Sequence, residues 1–323
     1  MAGARDKALA VVLGLDPLEI STSSIGGGSG FVSTLHVQSG DKQFFVKTGA
    51  GESSKIMFEG EYESLNAIHT TVPELCPRPI ACGKLQDGSY FLATEFLQLG
   101  GAGLSRRRSG GGKDTLALKL AKLHSQPAPS DGKYGFPVTT CCGSTPQDNT
   151  YEDTWSSFFI NRRLLPILNA CIKSNGSQPD LANHVNQVIP IANYLLSRLS
   201  PPSSQPVIVH GDLWSGNQSD GSIPPRIPSP TPMVFDPSSC YAPAEYDHGI
   251  MTMFGGFNRN FWEEYETVVS RGEPSGEYED RVSLYHLYHT LNHFAMFGGG
   301  YKSSAIELMR GLQRRYKDKI DGS

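Results

Sequence analysis

The sequence contains little that would place the chain in a membrane or direct it to secretion. No stretch approaches the roughly 18 consecutive apolar residues that a transmembrane helix needs. The N-terminal segment has two early basic residues and a short apolar run, but Asp16 and Glu19 follow closely and no convincing cleavage-site pattern is present. We therefore expect an N-terminal helix of a soluble protein, with no membrane partner.

The sequence also lacks an excess of positive charge and a cysteine framework. Its formal net charge is −4, so we expect no basic face for nucleic acid. The six cysteines form no CxxC pair, and no histidine stands at zinc-finger spacing from them. In a chain of 323 residues this pattern predicts reduced thiols and a cytoplasmic location.

What is present is the composition of a globular protein, with a sheet-like pattern in the first hundred residues. Hydrophobic residues make up 38% and charged residues 19% of the chain. Alternating runs over 31–37 and 43–47 flank a Ser-Gly-Asp turn and predict a hairpin. Apolar residues at helical spacing predict a helix from Ser54 that Pro73 ends. The segment GKLQDGSYFLATEFL predicts a second pair of strands with Asp87-Gly88 as the turn.

The rest of the chain has mostly helical patterns, predicted over 114–124, 151–175, 181–199, 260–269 and 279–297. Two short apolar runs, VIVHGD and PMVFDPSS, interrupt these helices, and each has an aspartate at its end. The Gly- and Arg-rich segment 98–113 and the Pro-rich segment 218–232 are predicted to be insertions on the surface.

Two aspartates and one asparagine have the spacing of a phosphoryl-transfer site. Four residues separate Asp212 from Asn217, and Asp236 follows the next strand. Phosphoryl transfer needs one carboxylate to orient the acceptor hydroxyl, and others to hold Mg²⁺ on the nucleotide phosphates. The catalytic and metal-binding loops of kinases have this spacing. The alternative is that Asp212 caps a turn and Asn217 bonds the backbone, as such residues often do in loops.

Two upstream features add to this pattern. Gly26, Gly27 and Gly28 belong to the run IGGGSG, whose backbone could approach phosphates closely because glycine has no side chain. On its own this run is explained better by a flexible turn. Lys47 ends the second strand of the predicted hairpin, where an exposed strand terminus is the alternative interpretation.

A glutamate in the predicted helix could pair with that lysine. Glu61 follows Lys47 by fourteen residues, and Glu59 is the other candidate, but positions i and i+2 diverge on a helix. Five features follow one another in the order found in protein kinases: a glycine loop, a lysine, a helical glutamate, an Asp-x4-Asn motif and a final Asp. We therefore predict an α+β, bilobal protein-kinase-like fold, with a small antiparallel-sheet lobe over 1–97 and a larger, mostly helical lobe over 98–323.

The chain resembles the fructosamine kinase family, also called ketosamine-3-kinases, within the kinase-like fold shared with aminoglycoside phosphotransferases. The tryptophan of HGDLWSGN distinguishes this loop from the related loops of antibiotic kinases. The resemblance spans the chain and rests on these segments: FFVKTG (44–49), MFEGEYESLNAIH (57–69), PRPIACG (77–83), KYGFPVTTCCGSTPQDN (133–149), WSSFFINRRLLP (155–166), HGDLWSGN (210–217), FDPSSCYAPAEYDHGIMTMFGGF (235–257) and LYHTLNHF (287–294).

The resemblance implies ATP- and Mg²⁺-dependent phosphorylation of a ketosamine at its 3-hydroxyl, on glycated proteins or on small ketosamines. The phosphorylated adduct then eliminates and the amine is regenerated. Carried over by position, Asp212 is the base that orients the sugar hydroxyl. Asn217 and Asp236 hold the metal, Lys47 steadies the nucleotide phosphates, and Glu61 positions Lys47.

The resemblance assigns further residues to nucleotide and substrate. The backbone around Glu95, Phe96 and Leu97 is implied to receive adenine as a hinge. Trp214 is expected to stack on the sugar or shape its pocket, since aromatic faces suit the apolar side of a sugar ring, with core packing as the alternative. His210 is grouped with the substrate residues, although bracing of the loop is its more expected role.

One departure from the family concerns oligomeric state. Many relatives have a cysteine in the glycine-rich segment that can link two subunits, and Ser29 occupies that place here. We therefore expect a monomer or a weak homodimer rather than a redox-switched dimer. Cys141 and Cys142 are expected to pack near the interface between the lobes.

Other polar residues have weaker patterns. His286, His289 and His293 would line one helical face, but no adjacent motif supports a metal site, and packing in the core or support of the site is the preferred interpretation. Glu245 and Asp247 are expected either to support the metal-binding loop or to cap the following helix, whose N-terminus favours negative charge.

Two other functions fit parts of this pattern. A small-molecule hydroxyl kinase of the aminoglycoside-phosphotransferase type would use the same loop, although HGDLWSGN argues against it. A nucleotide-binding pseudokinase would not need all five of the residues that transfer requires, namely Lys47, Glu61, Asp212, Asn217 and Asp236.

Overall fold

The computed structural model describes residues 4–26, 32–100 and 114–321. Five antiparallel strands form one sheet in the order β1-β2-β3-β5-β4. Both predicted hairpins are therefore present, and each places its turn where the sequence predicted it. The strands are β1 (Ser21–Ser24), β2 (Val32–Ser39), β3 (Lys42–Gly49), β4 (Pro79–Lys84) and β5 (Tyr90–Glu95).

Two helices accompany this sheet, α1 (Ala4–Leu13) and α2 (Gly51–Thr71). Helix α2 starts three residues before the predicted Ser54. It buries Phe58, Leu65 and Ile68, which recur at helical spacing, and each such burial contributes about 1.5–3 kcal/mol. The helix ends just before Pro73, as predicted.

The remainder of the chain is mostly helical and has its own large core. Among the described residues, no helix combines the length and apolar character needed to cross a bilayer. The helices are α3 (Leu116–His124), α4 (Trp155–Phe159), α5 (Leu165–Asn175), α6 (Pro179–Ser197), α7 (His248–Met253), α8 (Arg259–Tyr265), α9 (Tyr278–Phe297) and α10 (Tyr301–Asp321).

Two helical predictions need correction, and two helices were not predicted. The helix predicted over 260–269 is shorter and ends at Tyr265. The helix predicted over 151–175 is two helices joined by a wider π-helical turn over Ile160–Leu164, next to Pro166, which has no N–H to continue the regular bonding pattern. Helix α7, of six residues, was not predicted. Helix α10 was not predicted either, because charged residues dominate it. Its buried residues nevertheless recur at helical spacing: Ala305, Met309, Leu312 and Tyr316.

Short strands bring the aspartate-bearing loops together. Strand β9 (Val207–Val209) pairs with β12 (Cys240–Ala242), so the loops that follow β9 and precede β12 lie side by side. A further pair, β7 (Thr140–Cys142) and β8 (Thr145–Gln147), packs with β7 against α2. Cys141 and Cys142 thus lie between the helical region and α2, as predicted.

The segment over 218–232 is not merely a surface insertion. It forms β10 (Gln218–Ile223) and β11 (Ile227–Val234), and β10 also pairs with β6 (Gln98–Leu99). Ile223, Ile227 and Met233 are buried in a small cluster with Leu97. The hairpin therefore packs on the connection between the sheet and the helical region. Of the other predicted insertion, residues 101–113 lie outside the described residues.

Candidate active site

Lys47 lies at the centre of an ion-pair cluster that joins three elements. Its Nζ atom lies 2.8 and 2.7 Å from the two carboxylate oxygens of Glu61, and 2.8 Å from Oδ1 of Asp236. Lys47 is on β3, Glu61 is on α2, and Asp236 follows β11. Glu59 is exposed, so the structure selects Glu61 as the partner of the lysine.

The charges of this cluster stabilise the protonated lysine. Burial alone would lower the pKa of Lys47, but Asp236 and Glu61 outweigh that effect and raise it. Burial raises the pKa of Glu61, and the charge of Lys47 opposes this. Lys47 also holds the pKa of Asp236 below its ordinary value, despite the loss of solvent around that carboxyl. Lys47 is therefore a fixed positive charge between Glu61 and Asp236.

The loop after β9 is held to the loop before β12 by its backbone. The backbone N–H of Ser238 donates a hydrogen bond to the carbonyl oxygen of His210 at 2.9 Å. The backbone N–H of Phe235 donates to the carbonyl oxygen of Asn217 at 3.1 Å. Asn217 Nδ2 also donates to the backbone oxygen of Asp212 at 2.8 Å. The backbone bond expected as an alternative role of Asn217 is thus present. It uses the amide nitrogen and leaves the amide oxygen as the atom that could bind a cation.

Asp212 lies in an environment that favours its neutral form. Burial raises the pKa of its carboxyl to about 7, and the charges of Asp236 and Asp247 act in the same direction. A carboxylate with a pKa near neutrality is suited to accept a proton in this pH range. The chemistry available to Asp212 is therefore general-base catalysis.

Asp247 supports this loop from behind. Its carboxylate accepts the backbone N–H groups of His210 at 2.8 Å and Gly211 at 2.7 Å, and lies 3.2 Å from Nε2 of His124. Burial opposes ionisation, but His124 and the backbone bonds lower the pKa of Asp247. The supporting role is thus observed for Asp247, at the Asp212 loop, and its side chain does not cap helix α7.

Glu245 has a different position from the one expected. It is buried and pairs with Arg281, with Nε–Oε1 at 2.7 Å, and it accepts the Tyr285 hydroxyl at 2.8 Å. These partners lie on α9. Glu245 therefore links the segment before α7 to the helical core rather than to the metal-binding loop.

His210 is not placed to contact a substrate, which corrects its grouping with the substrate residues. The residue is 0% exposed. Its Nε2 lies 3.1 Å from the carbonyl oxygen of Phe235, and Nδ1 accepts the N–H of Asp212 at 3.2 Å. His210 therefore braces the loop, which was its more expected role.

Trp214 lies at the surface and not in the core. Its side chain is 38% exposed and its ring contacts that of Phe254, with centroids 5.7 Å apart. Core packing, the alternative for this residue, is therefore wrong. An exposed aromatic face two residues after Asp212 is available to a ligand.

A cleft of about 190 Å³ lies beside the ion-pair cluster. Its walls are mostly apolar, and Glu61 and Asp236 form its polar end. Such an arrangement suits a flat apolar ring with a charged extension. The apolar wall includes Phe45, Leu65, Pro77, Leu97 and Phe235.

The predicted hinge borders this cleft, with one correction. The backbone N–H of Glu95 donates to Arg78 at 3.0 Å, and its carboxylate pairs with Arg226 of the β10–β11 hairpin, at 3.0 Å from Nε to Oε1. Glu95 thus has structural partners and is not free to bind adenine through its N–H. The ring of Phe96 packs against that of His36, with centroids 4.1 Å apart and the planes tilted by 30°, while Leu97 lines the cleft.

The glycine run is only partly described. Gly26 has φ of +23° and open space where a Cβ would stand. Gly27 and Gly28, with Ser29, lie outside the described residues. The phosphate-binding role of this run therefore stays a prediction.

The sequence analysis did not predict that Cys142 and His289 lie near Asp212. Ligand atoms of Cys142, His289 and Asp212 all lie within 4.8 Å of one another. His289 is buried, in agreement with the interpretation of this histidine as a core residue. The carbonyl oxygen of His289 lies 2.8 Å from Nδ1 of His293. Cys142 and His289 belong to separate segments, 133–149 and 287–294, and no pattern in the sequence places these segments at the same aspartate.

Comparison with known proteins agrees with this fold. The family model for fructosamine kinase matches residues 9–315. A protein-ribulosamine 3-kinase of Arabidopsis thaliana is 33% identical over 301 residues, with 91% of this chain and 83% of the relative covered. A ketosamine-3-kinase of Mus musculus is 31% identical over 312 residues, covering 89% of this chain and 94% of the relative.

The fold extends beyond these relatives. A thermostable mutant of an aminoglycoside phosphotransferase, solved in ternary complex with AMP-PNP and hygromycin B, superposes with a TM-score of 0.59 at 12% identity, covering 97% of this chain and 98% of that one. At this identity the likeness concerns the fold alone. With a family model that spans nearly all of its length, the chain belongs to the fructosamine kinase family.

Proposed function

We propose that this protein is an ATP- and Mg²⁺-dependent kinase that phosphorylates the 3-hydroxyl of ketosamines, and thereby starts the removal of sugar adducts from glycated proteins. The observation that carries the proposal is the arrangement of Lys47, Glu61 and Asp236 beside Asp212, in a member of this family. A chain that only bound a partner would have no physical need of these groups in one place.

The nucleotide would occupy the cleft beside the ion-pair cluster. Adenine would lie between apolar residues such as Phe45 and Leu97, with hinge contacts from the backbone after Glu95. Lys47 is positioned by Glu61 and would exchange its bond to Asp236 for the nucleotide phosphates. The AMP-PNP complex of the structural neighbour supports the fold's capacity to hold such a ligand.

The residues around Asp236 fit a magnesium ion. The Asp236 side chain is 51% exposed and ionised beside Lys47, and the Asn217 amide oxygen is oriented by the bond its nitrogen makes. Mg²⁺ prefers such oxygen donors and keeps several waters, which an exposed site allows. Asn217 and Asp236 would therefore hold the metal, whose contribution is to neutralise phosphate charge.

Asp212 would accept the proton of the sugar hydroxyl as that oxygen attacks the terminal phosphate. Its pKa of about 7 and the bracing by His210 and Asp247 fit this role. Trp214 would pack on the apolar face of the sugar. A phosphate on C3 lies next to the ketone carbon, so the product is expected to eliminate and release the amine.

We place the boundary between the two lobes at residues 97 and 98, where β5 has ended and β6 begins. The proposed partners are glycated proteins or free ketosamines, with a monomer or weak homodimer acting in the cytoplasm.

The proposal is tested by ADP release from the purified protein with Mg·ATP and a ribulosamine, a fructosamine or an aminoglycoside as acceptor. Turnover that depends on a ketosamine is the expected result, and the ratio of kcat/KM values identifies the preferred sugar. Turnover with the aminoglycoside alone would favour an antibiotic-kinase activity. ATP binding without turnover of any acceptor would refute the catalytic proposal.

A further inference from the structure

Three side chains of different elements converge beside the candidate active site. Cys142 is on β7, His289 is on α9, and Asp212 is in the loop after β9. The Cys142 Sγ atom lies 3.8 Å from Nδ1 of His289, and an Asp212 carboxylate oxygen completes a set of atoms within 4.8 Å of one another. In a tetrahedral zinc site, Zn–S of about 2.3 Å and Zn–N of about 2.0 Å place sulfur and nitrogen about 3.5 Å apart. Small side-chain shifts would therefore bring these atoms to coordination distance.

The histidine of this set lacks the partners that a buried imidazole normally has. His289 is 0% exposed, and among the described residues its Nε2 atom has no hydrogen-bond partner. The thiol is the weak partner of Nδ1. An under-bonded imidazole beside a buried thiol and a carboxylate is the donor set of a thiophilic cation.

We propose that Cys142, His289 and Asp212 form a site for a divalent cation of the Zn²⁺ class, and that its occupation inhibits the enzyme. Binding breaks the S–H bond of Cys142, forms an S–metal bond and releases the proton to solvent. The Asp212 carboxylate then donates to the metal and no longer accepts a proton from the acceptor hydroxyl. The inhibitory part rests on the proposed function of Asp212, whereas the binding part does not.

The site is distinct from the proposed magnesium site in its ligands. Asn217 and Asp236 offer oxygen atoms only, which suits a hard cation, while a thiol and an imidazole favour zinc. Cys142 and His289 are 2% and 0% exposed, so the cation would enter past Asp212, which is the partly exposed member of the set. Raising the magnesium concentration should therefore not displace zinc.

Binding is tested on the full chain without nucleotide, with Co²⁺ as the spectroscopic probe and Zn²⁺ as its competitor. Wild-type protein should bind one equivalent of Co²⁺ with a sulfur-to-cobalt charge-transfer absorption that Zn²⁺ removes. Cys142→Ser should lose this absorption and weaken zinc binding at least about tenfold, since even outer-shell changes cost about 10–100-fold. Cys141→Ser is the matched control, because neighbouring side chains on β7 point to opposite faces.

His289→Gln provides a second variant in case Cys142→Ser is unstable, and thermal unfolding shows whether each variant is folded. A folded His289→Gln should weaken zinc binding by a similar factor. Absence of cobalt binding by the wild type would overturn the site, as would a charge-transfer absorption that persists in Cys142→Ser or is lost in Cys141→Ser.

Inhibition is tested by ADP release at buffered free Zn²⁺ and fixed Mg·ATP, with each variant normalised to its own zinc-free rate. Zinc should inhibit the wild type and Cys141→Ser, and extra magnesium should not relieve this. Cys142→Ser should need at least about tenfold more zinc. Equal inhibition of all three proteins would refute the inhibitory role. Cobalt binding through Cys142 in a protein that turns over no ketosamine would refute the proposed function alone.

Discussion

The carboxylate of Asp247 accepts the backbone N–H of Gly211 at 2.7 Å, one residue before Asp212. The same carboxylate accepts the N–H of His210, and it is completely buried. Hydrogen bonds to a charged acceptor are about twice as strong as neutral ones, so this side chain fixes the path of the loop. The position of Asp212 therefore depends on a residue 35 positions further along the chain.

Replacement of Asp247 by Asn should reduce both stability and turnover. The amide has one acceptor oxygen in place of two and no charge, so at least one buried N–H loses its partner, at a cost of about 1–3 kcal/mol. Denaturant unfolding measures this loss, and steady-state kinetics should show a lower kcat with little change in the KM for ATP. Asp153→Asn is the control, because that side chain is 83% exposed, and it should change neither quantity.

Gly211 should not tolerate a side chain. Its φ is +80°, and a Cβ would lie 2.1 Å from the carbonyl oxygen of Ser238. Gly88 has φ of +86° with open space around it, so Gly88→Ala measures the cost of the conformation alone, about 1–2 kcal/mol. We expect Gly211→Ala to exceed this cost clearly in denaturant unfolding. Equal losses for the two variants would show that the loop moves away from Ser238 without difficulty.

Much of the fold and site was predictable because the local patterns are strong. The two hairpins, helix α2 and the order of Lys47, Glu61, Asp212, Asn217 and Asp236 follow from periodicity, turn residues and motif spacing. Cys142 and His289 are in contact although they are 147 residues apart in the sequence, and Glu95 and Arg226 although they are 131 residues apart. Such pairs arise from tertiary packing and have no local pattern. The hairpin over 218–232 was missed because its prolines suggested a loop.

Loss of the charge on Glu61 should weaken the use of ATP. In Glu61→Gln the side chain of Lys47 keeps a hydrogen-bond partner but loses one of its two carboxylate neighbours. Lys47 is then free to turn toward the other, Asp236. We expect an increase of about tenfold or more in the KM for ATP, measured by ADP release. Glu59→Gln, two residues away and exposed, should leave that KM unchanged. An equal effect of both variants would indicate a general effect on α2.

Arg226 should stabilise the packing of the β10–β11 hairpin on the hinge. Its guanidinium pairs with Glu95 through Nε and Nη2 and also donates to the carbonyl oxygen of Pro73 at 2.8 Å. Arg226→Ala leaves the partly buried carboxylate short of donors and should lower the free energy of unfolding by about 1–3 kcal/mol. Arg78 is 57% exposed and 3.8 Å from the same carboxylate, so Arg78→Ala should cost much less.

The pH dependence of the reaction should report the ionisation of Asp212. The base must be deprotonated, and burial together with the charge of Asp236 raises the pKa of its carboxyl to about 7. Activity should therefore rise with pH and reach its plateau above that value, falling about tenfold per pH unit well below it. This rise, the acid limb of the pH profile, should have its midpoint near pH 7 in kcat/KM for Mg·ATP, because kcat/KM reports the enzyme before the nucleotide binds.

The limb in kcat should lie at lower pH, because a magnesium ion held by Asp236 would cancel the charge that helps to raise the pKa of Asp212. Asp212→Asn is the control: it should retain ATP binding and lose about 10²–10⁴-fold in kcat, with no remaining acid limb. A mutant with near-wild-type turnover would remove Asp212 from its role. If the acid limb had the same apparent pKa in kcat/KM and in kcat, the cation would instead lie away from Asp236. The reason is that neutralising the charge of Asp236 must shift the pKa of the neighbouring Asp212.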